Sequence, residues 1–158
     1  MHIRWMIRRD MPEVMAIEQA VFEHPWTERE FSDELRRRNS IGMVLERADE
    51  IHGYVVYRLN SRDLEILNLA VHPEHRRLML GTALMDKLKA KLSPERRCRL
   101  TADVRESNLD AQLFFRELGF RAVAIKPRRF DNDEAAYRFQ YRLKVADYRE
   151  AEKIARAT

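Results

Sequence analysis

The sequence predicts an α/β fold, with one central mixed sheet of the α+β kind and helices packed on it. Strand patterns and helix patterns alternate along the chain, which is typical of a sheet covered by helices. At 158 residues, with 45% apolar and 35% charged residues, the chain has the size and composition of one globular domain. No apolar run approaches the roughly 18 residues that span a bilayer. We therefore expect a single domain over residues 1–158, with residues 145–158 forming a C-terminal helix or a frayed tail.

Two helix starts in the first half of the chain carry capping signals. Asp10 precedes a proline in a first helical turn, which predicts Asp10 as the N-cap of the first helix. Thr27 and Glu30 have the spacing of a capping box, which predicts the start of the second helix. Strands are predicted where apolar residues alternate or cluster between turn residues. The predicted strands of this half are His2–Arg8, Ile41–Glu46 and Ile51–Leu59.

The second half of the chain predicts four strands and three helices. A proline after Ser93 is expected to stop the first of these helices, and Gly119 is a natural C-cap for the second. The predicted strands are Leu64–Val71, Arg99–Val104, Arg121–Ile125 and Ala136–Leu143. The predicted helices are Leu80–Leu92, Asn108–Leu118 and Val145–Ala155. The complete order before the terminal helix is β-α-α-β-β-β-α-β-α-β-β.

Charge and cysteine content limit the classes of partner. A net charge of +4 permits an acidic partner, a phosphate-rich ligand or a ribosomal surface. Acidic residues interleave most of the basic clusters and no aromatic ladder accompanies them, so we expect no direct binding of nucleic acid. The single cysteine, Cys98, excludes an internal disulfide framework. Because no export signal is visible either, we expect a cytoplasmic protein that does not bind a membrane.

The segment from Leu64 to Leu84 carries the most informative motif. A strand runs through a proline turn into two arginines, and a helix begins at the following glycine, which makes a ready anion site. The run Arg76-Arg77-Leu78-Met79-Leu80-Gly81 resembles motif A of the Gcn5-related N-acetyltransferase (GNAT) family, Arg/Gln-x-x-Gly-x-Gly/Ala. That resemblance implies acetyl-CoA as co-substrate and no metal. The implied cofactor-binding residues are Leu69, Ala70, Val71, Arg76, Arg77, Leu78, Met79, Leu80, Gly81, Thr82 and Asn108.

Met79 is a departure from this pattern, because the family has glycine there. If the backbone at residue 79 must adopt a positive φ, a residue other than glycine costs roughly 1–2 kcal/mol. We therefore expect binding of acetyl-CoA that is weakened but not abolished.

Two further motifs resemble the RimI type within the family, the ribosomal-protein alanine N-acetyltransferases. The first is Glu18-x-x-x-Phe22-x-x-Pro25-Trp26-Thr27, and it implies that Pro25 and Trp26 border the acceptor groove; a structural hydrophobic plug is the equally weighted alternative. Glu18 itself is expected on the helix surface. The loop that contains Arg129 and Phe130 occupies the place of the family's loop over the acceptor, so these two residues are also assigned to substrate binding.

The second of these motifs is Asp103-Val-Arg-Glu-Ser-Asn108, which resembles the Glu-Val-Arg-x-x-Asn turn of RimI-type enzymes. The resemblance places the catalytic base at Asp103, with Glu65 on the neighbouring strand as the reserve base. Asn108 is expected to cap the next helix and to contact the pantetheine arm. Phe115 takes the position of the family's tyrosine acid and cannot donate a proton, which leaves water, Tyr137 or no acid at all.

Acetyl transfer needs a neutral amine, a stabilised oxyanion and a protonated leaving thiolate. A peptide α-amino group has a pKa of about 7.7–8.0, so one modest base is enough to supply the free amine. The leading expectation is transfer of acetyl from acetyl-CoA to a protein N-terminal α-amino group. The acceptor would then be a protein or peptide N-terminus, with a ribosomal protein as one candidate, and the enzyme a monomer or homodimer. The alternatives are acetylation of a small amine or lysine side chain, and a catalytically impaired acyl-CoA-binding domain.

Overall fold

The chain forms seven strands and five α-helices in the predicted order, in a computed structural model that describes residues 1–157 but not the side chains of residues 76–78. The strands are β1 (His2–Trp5), β2 (Ser40–Arg47), β3 (Glu50–Leu59), β4 (Asp63–Val71), β5 (Arg99–Arg105), β6 (Arg121–Lys126) and β7 (Ala136–Arg142). The helices are α1 (Met11–Val21), α2 (Glu28–Leu35), α3 (Leu80–Lys89), α4 (Leu109–Glu117) and α5 (Val145–Ala157). Short 3-10 turns cover Arg8–Asp10 and Pro73–Leu78.

The chain divides into two compact units that share β4. The first contains residues 1–59 and 66–87, and the second contains residues 60–65 and those from 88 onward. The strand order is β1-β2-β3-β4-β5-β7-β6. The prediction of one domain over residues 1–158 is not tested by this division and stays a prediction. Among the described helices, none is both long and apolar enough to cross a membrane.

In the first unit, β1, β2 and β3 pair in antiparallel fashion, and α1 contacts β3. The β2–β3 turn places Ala48 and Asp49 at positive φ, as a tight hairpin turn requires. The buried core includes Val14 and Ile17 of α1 and Phe31 of α2, and these pack in one cluster with Tyr54 of β3. One face of α1 and one face of α2 therefore line the core of this unit.

In the second unit, β5, β7 and β6 pair in antiparallel fashion. Their register places Asp103 of β5 opposite Arg138 of β7. Strand β6 is the last in the order, and its pairing with β7 shifts between Ala122 and Ala124. Val123 and Ile125 of β6 are exposed.

Three local predictions are corrected by the structure. Strand β1 ends at Trp5 and not at Arg8, because Arg8 already belongs to the 3-10 turn Arg8–Asp10. Asp10 does precede α1, but its carboxylate makes no cap bond to that helix; it binds the guanidinium of Arg4 at 2.7 and 2.8 Å and accepts the N–H of Ile7. Helix α3 ends at Lys89 and not at Leu92, because the chain tightens there into i→i+3 bonds, including one from the N–H of Leu92 to the carbonyl of Lys89. The capping box of Thr27 and the C-terminal glycine after α4, at φ 91°, are confirmed.

Candidate functional site

In the first unit, β4 delivers the chain to the start of α3 through a 3-10 turn. Ala70 is buried, with Leu69 and Val71 half-buried on either side. A Cβ atom at Gly53 of β3 would lie 3.0 Å from the carbonyl oxygen of Ala70, so only glycine allows this close approach of the two strands. The side chains of the predicted contacts at residues 76–78 lie outside the described residues.

Met79 adopts the left-handed conformation, with φ 56° and ψ 29°. Its carbonyl accepts the N–H of Ala83 at 3.1 Å, so the N–H groups of Leu80, Gly81 and Thr82 precede the first bond of α3. The Met79 side chain is 68% exposed. The expected positive φ is therefore confirmed, and the methionine strains the helix start where the family has glycine.

Replacing Met79 with glycine should relieve this strain. We expect the free energy of unfolding to rise by about 0.5–1 kcal/mol, because removing roughly 1–2 kcal/mol of strain outweighs the added freedom of glycine in the unfolded chain. The dissociation constant for acetyl-CoA, measured by calorimetry, should fall several-fold for a different reason: glycine removes the exposed side chain that would crowd the phosphate at the helix start. Asp49→Gly is the matched control, since Asp49 also has a positive φ of 64° but lies in the β2–β3 turn. If both variants change affinity alike, the effect does not arise from the helix start.

Also in the first unit, a buried carboxylate fixes the corner between α1 and α2. Glu18 is only 1% exposed and accepts three hydrogen bonds, from Asn68 Nδ2 at 2.6 Å, from the N–H of Trp26 at 2.9 Å and from the Tyr54 hydroxyl. Burial raises the pKa of Glu18 above its usual range, although all three donors favour the ionised form. The expectation that Glu18 lies on the helix surface is wrong, because the chain after α1 folds back over it.

The predicted acceptor residues Pro25 and Trp26 lie at this corner. Pro25 is exposed, whereas Trp26 is half-buried with its ring edge-on to Phe31 at 5.0 Å between centroids. The backbone bond from Trp26 to Glu18 holds the corner. Trp26 therefore has a packing role in the core, and its proposed role at an acceptor groove is additional to that.

In the second unit, Asp103 is held by two arginines. Its carboxylate accepts from Arg138 Nε at 2.8 Å and Nη2 at 3.0 Å, and from Arg129 Nε at 3.1 Å. Its side chain is 7% exposed. Burial alone would raise the pKa of Asp103, but the hydrogen bonds from Arg138 and Arg129 outweigh it and place that pKa below its usual range. A carboxylate of such low basicity is better suited to holding the two guanidinium groups than to taking up a proton.

The lowered pKa gives a prediction for stability. Since the folded state binds the Asp103 proton less tightly than the unfolded state, the stabilisation is complete above the unfolded pKa, near about 4, and is lost as the pH falls through the folded value. The difference in unfolding free energy between the wild type and Asp103→Asn should therefore be constant above about pH 5 and shrink below about pH 4. Urea denaturation across this range measures it, with the exposed Asp131→Asn as control. If the difference in unfolding free energy stays constant down to about pH 3, the ion pairs of Asp103 with Arg129 and Arg138 do not stabilise the fold as described.

The reserve base, Glu65, lies at the start of β4 in the same unit. Glu65 Oε1 accepts from Asn60 Nδ2 at 3.3 Å, and the side chain is half-buried. The charges of Glu65 and Asp63 add to that of Asp103 in raising the pKa of Arg138. The guanidinium of Arg138 thus joins three carboxylates in one electrostatic network. Sequence reasoning missed Arg138; its place is set by the register of β5 and β7, which no local motif encodes.

The remaining predicted residues of the second unit have clear structural roles. Asn108 caps α4, its Oδ1 accepting the N–H of Ala111 at 3.1 Å, so the capping half of its predicted role is confirmed. Phe115 is 6% exposed and packs against Phe120 at 5.0 Å between ring centroids. It offers no proton donor, as the sequence implies.

The loop between β6 and β7 presents Arg129 next to an aromatic ring. The guanidinium carbon of Arg105 lies 4.0 Å from the centroid of the Phe130 ring. The guanidinium carbon of Arg129 lies 5.4 Å from the same centroid. Arg129 keeps 44% of its side chain exposed while it binds Asp103. This arrangement holds a cationic group at the surface in a fixed position, which is a suitable way to orient a polar or acidic peptide.

Comparison with known proteins gives one consistent result. A family model described as acetyltransferase (GNAT) family matches residues 11–120. A Bacillus subtilis protein provisionally named as a ribosomal protein bS18-alanine N-acetyltransferase is 30% identical over 136 residues, 85% of this chain and 90% of the relative. The ribosomal protein bS18-alanine N-acetyltransferase of Escherichia coli K12 is 27% identical over 117 residues, 74% of this chain and 78% of that protein.

The solved structures agree on the fold. Ard1 from Thermoplasma volcanium is similar with a TM-score of 0.81 and 25% identity, covering 90% of this chain and 97% of that one. The ribosomal-protein-S18-alanine N-acetyltransferase from Escherichia coli has a TM-score of 0.78 at 23% identity and covers 90% and 94% of the two chains.

Proposed function

The chain belongs to the acetyltransferase (GNAT) family and is an acetyl-CoA-dependent N-acetyltransferase, and on that basis we propose that its acceptor is the α-amino group of a protein N-terminus. The similarity to a bS18-alanine N-acetyltransferase over 85% of this chain and 90% of the relative carries this proposal. A ribosomal protein is the first acceptor to test. The free thiol of Cys98 fits a cytoplasmic location, which is part of the same proposal.

The start of α3 suits the pyrophosphate of acetyl-CoA. The N–H groups of Leu80, Gly81 and Thr82 precede the first helical bond and lie at the positive end of the helix dipole, so they are suitable donors for an anion. The backbone of Met79 is strained, but its carbonyl still accepts the first helical hydrogen bond. All three N–H donors therefore stay free of the hydrogen bonds of α3. Main-chain groups of Leu69, Ala70 and Val71 are proposed to bind the pantetheine arm and to polarise the thioester carbonyl.

The reaction requires three events. The neutral amine attacks the thioester carbon, the carbon–sulfur bond of the tetrahedral intermediate breaks, and the departing thiolate takes up a proton. We assign removal of the amine proton to Glu65, directly or through a water. Asp103 is assigned to positioning, because its two arginine partners lower its basicity. No acid is assigned to Phe115; a thiol has a pKa of about 8.5, so a thiolate can leave with solvent supplying its proton.

Recognition of the acceptor is assigned to two surfaces, one in each unit. In the second unit, Arg129 is exposed on the β6–β7 loop beside Phe130 and is anchored by Asp103. In the first unit, Pro25 is exposed next to the anchored Trp26. We propose Arg129 as a contact for polar or acidic groups of an acceptor peptide. The Pro25–Trp26 corner is a separate candidate surface for an apolar side chain of an acceptor.

A product assay tests this proposal. Purified enzyme with acetyl-CoA should release CoA in the presence of a short peptide that begins with alanine, and mass spectrometry should place the acetyl group on the α-nitrogen. The same peptide with a blocked N-terminus but a free lysine is the matched control, and spermidine tests small amines. Acetylation of the blocked peptide or of spermidine at an equal rate would reject the N-terminal proposal. Acetyl-CoA binding without any CoA release would indicate an impaired enzyme.

A further inference from the structure

Three of the five histidines of the chain lie together in the first unit, at the turn that follows β4. They are His52 of β3, and His72 and His75 of the turn, and Glu74 lies between the last two. One ligand atom each from His72, Glu74 and His75 lies within 4.8 Å of the other two. Two imidazoles and a carboxylate are a donor set that binds zinc in proteins.

The local backbone presents these donors in one direction. The N–H of His72 donates to the carbonyl of His52 at 2.7 Å, which ties the turn to β3. His72 Nδ1 accepts the N–H of Glu74 at 3.2 Å, so Nε2 is the nitrogen of His72 that is available to a metal. Pro73 begins the 3-10 turn and fixes its φ, so the turn is held before any ligand arrives.

His52 is the independent observation that points to a ligand. It is 6% exposed, and within the described part of the chain both of its ring nitrogens are buried without a hydrogen-bond partner; the Glu50 carboxylate lies 3.7 Å from Nε2, beyond hydrogen-bond distance. Its ring stacks on that of His75, with 3.9 Å between centroids and 7° between planes. A polar ring buried in this way costs stability, so its presence calls for an explanation such as a nearby ligand site. The stack also restricts rotation of the His75 ring.

We propose that His72, Glu74 and His75 bind one divalent transition-metal ion of the zinc class, with His52 holding His75 in place. Zinc bonds of about 2.0–2.2 Å in tetrahedral geometry place donor atoms roughly 3.3–3.6 Å apart, so ligand atoms that lie within 4.8 Å of one another need only small side-chain movements to bind the ion. A fourth position is left for water. The site supplies only one carboxylate, which makes magnesium or calcium a poor occupant. The site adjoins the proposed acetyl-CoA segment along the chain, because His72 follows Val71 and His75 precedes Arg76. It goes against our expectation, based on sequence, of a protein without metal.

Calorimetry with zinc chloride tests the proposal on the untagged, chelator-treated protein. We expect one zinc ion per chain with a dissociation constant in the micromolar range or below. Glu74→Gln and His75→Gln should each weaken binding at least tenfold, and circular dichroism of the metal-free variants verifies that they are folded. Glu74 is exposed, so its replacement by the isosteric amide removes a ligand charge without disturbing the core.

The matched control is His24→Gln, because His24 is exposed and lies outside the cluster. It should bind zinc as the wild type does. Cobalt(II) gives a second readout, and its visible spectrum should show a nitrogen and oxygen site without the thiolate band that Cys98 would produce. The proposal fails if zinc binds only in the millimolar range. It also fails if each of the single variants Glu74→Gln and His75→Gln binds zinc as tightly as the wild type, or if His24→Gln abolishes zinc binding.

Discussion

Replacing Glu65 with glutamine is expected to lower kcat by about 100-fold, at the low end of the effect of removing a general base. Glutamine keeps the shape of the side chain and the hydrogen bond from Asn60, but it cannot accept the amine proton. The apparent KM for acetyl-CoA should change little, because the proposed base touches the acceptor amine. The loss should be smaller at high pH, where more of the amine is already neutral. Steady-state rates with an alanine-terminated peptide measure both quantities.

The companion variant Asp103→Asn should give a different pattern. Its main effect should be a higher KM for the peptide with less than a tenfold loss of kcat, because Arg129 and Arg138 lose their anchor while the base remains. Glu117→Gln, on an exposed position of α4, is the control for a charge change without a role. If Asp103→Asn loses 100-fold in kcat and Glu65→Gln does not, then Asp103 and not Glu65 is the base.

The second large effect is expected on stability. Glu18→Ala should lower the free energy of unfolding by about 3–5 kcal/mol, because it removes the acceptor for three donors and leaves buried polar groups unpaired. Glu18→Gln should have an intermediate effect, since the amide oxygen can keep the bonds from Tyr54 and Asn68 that Oε1 accepts, while the amide N–H groups then face the N–H of Trp26. Urea denaturation of both variants and of the wild type measures the three free energies of unfolding and so tests this order.

Glu23→Ala is the control for this experiment, because Glu23 is an exposed carboxylate just after α1. It should change the free energy of unfolding by less than about 0.5 kcal/mol. A loss below about 1 kcal/mol for Glu18→Ala would show that the three donors find other partners. The corner at Trp26 would then depend on packing against Phe31 alone.

The elements that sequence reasoning predicts correctly are those defined by local signals. Thr27 and Glu30 mark the start of α2, Gly119 marks the end of α4, and alternating apolar residues mark the strands. Each signal acts within one or two turns of the chain, so a reading of neighbouring residues is enough. The strain at Met79 is also predictable from the sequence. The family motif has glycine at this position, and a positive φ is costly for any other residue.

The features that sequence reasoning misses are made by residues far apart in the chain. Glu18 meets Tyr54 and Asn68 across 36 and 50 positions, so its helix alone gives no indication of burial. Asp103 meets Arg138 across 35 positions, and that pairing lowers the pKa of the carboxylate, which no local motif indicates. The pKa of a carboxylate depends on such partners more than on its residue type.

Strand β6 has a consequence for how this protein behaves at high concentration. It is the last strand in the order, so within residues 1–157 one row of its backbone groups has no partner strand, and Val123 and Ile125 make it apolar. Such an edge can recruit a strand from another molecule and begin aggregation. The register shift between Ala122 and Ala124 bends the strand, and the charged ends at Arg121 and Lys126 act as gatekeepers against that growth.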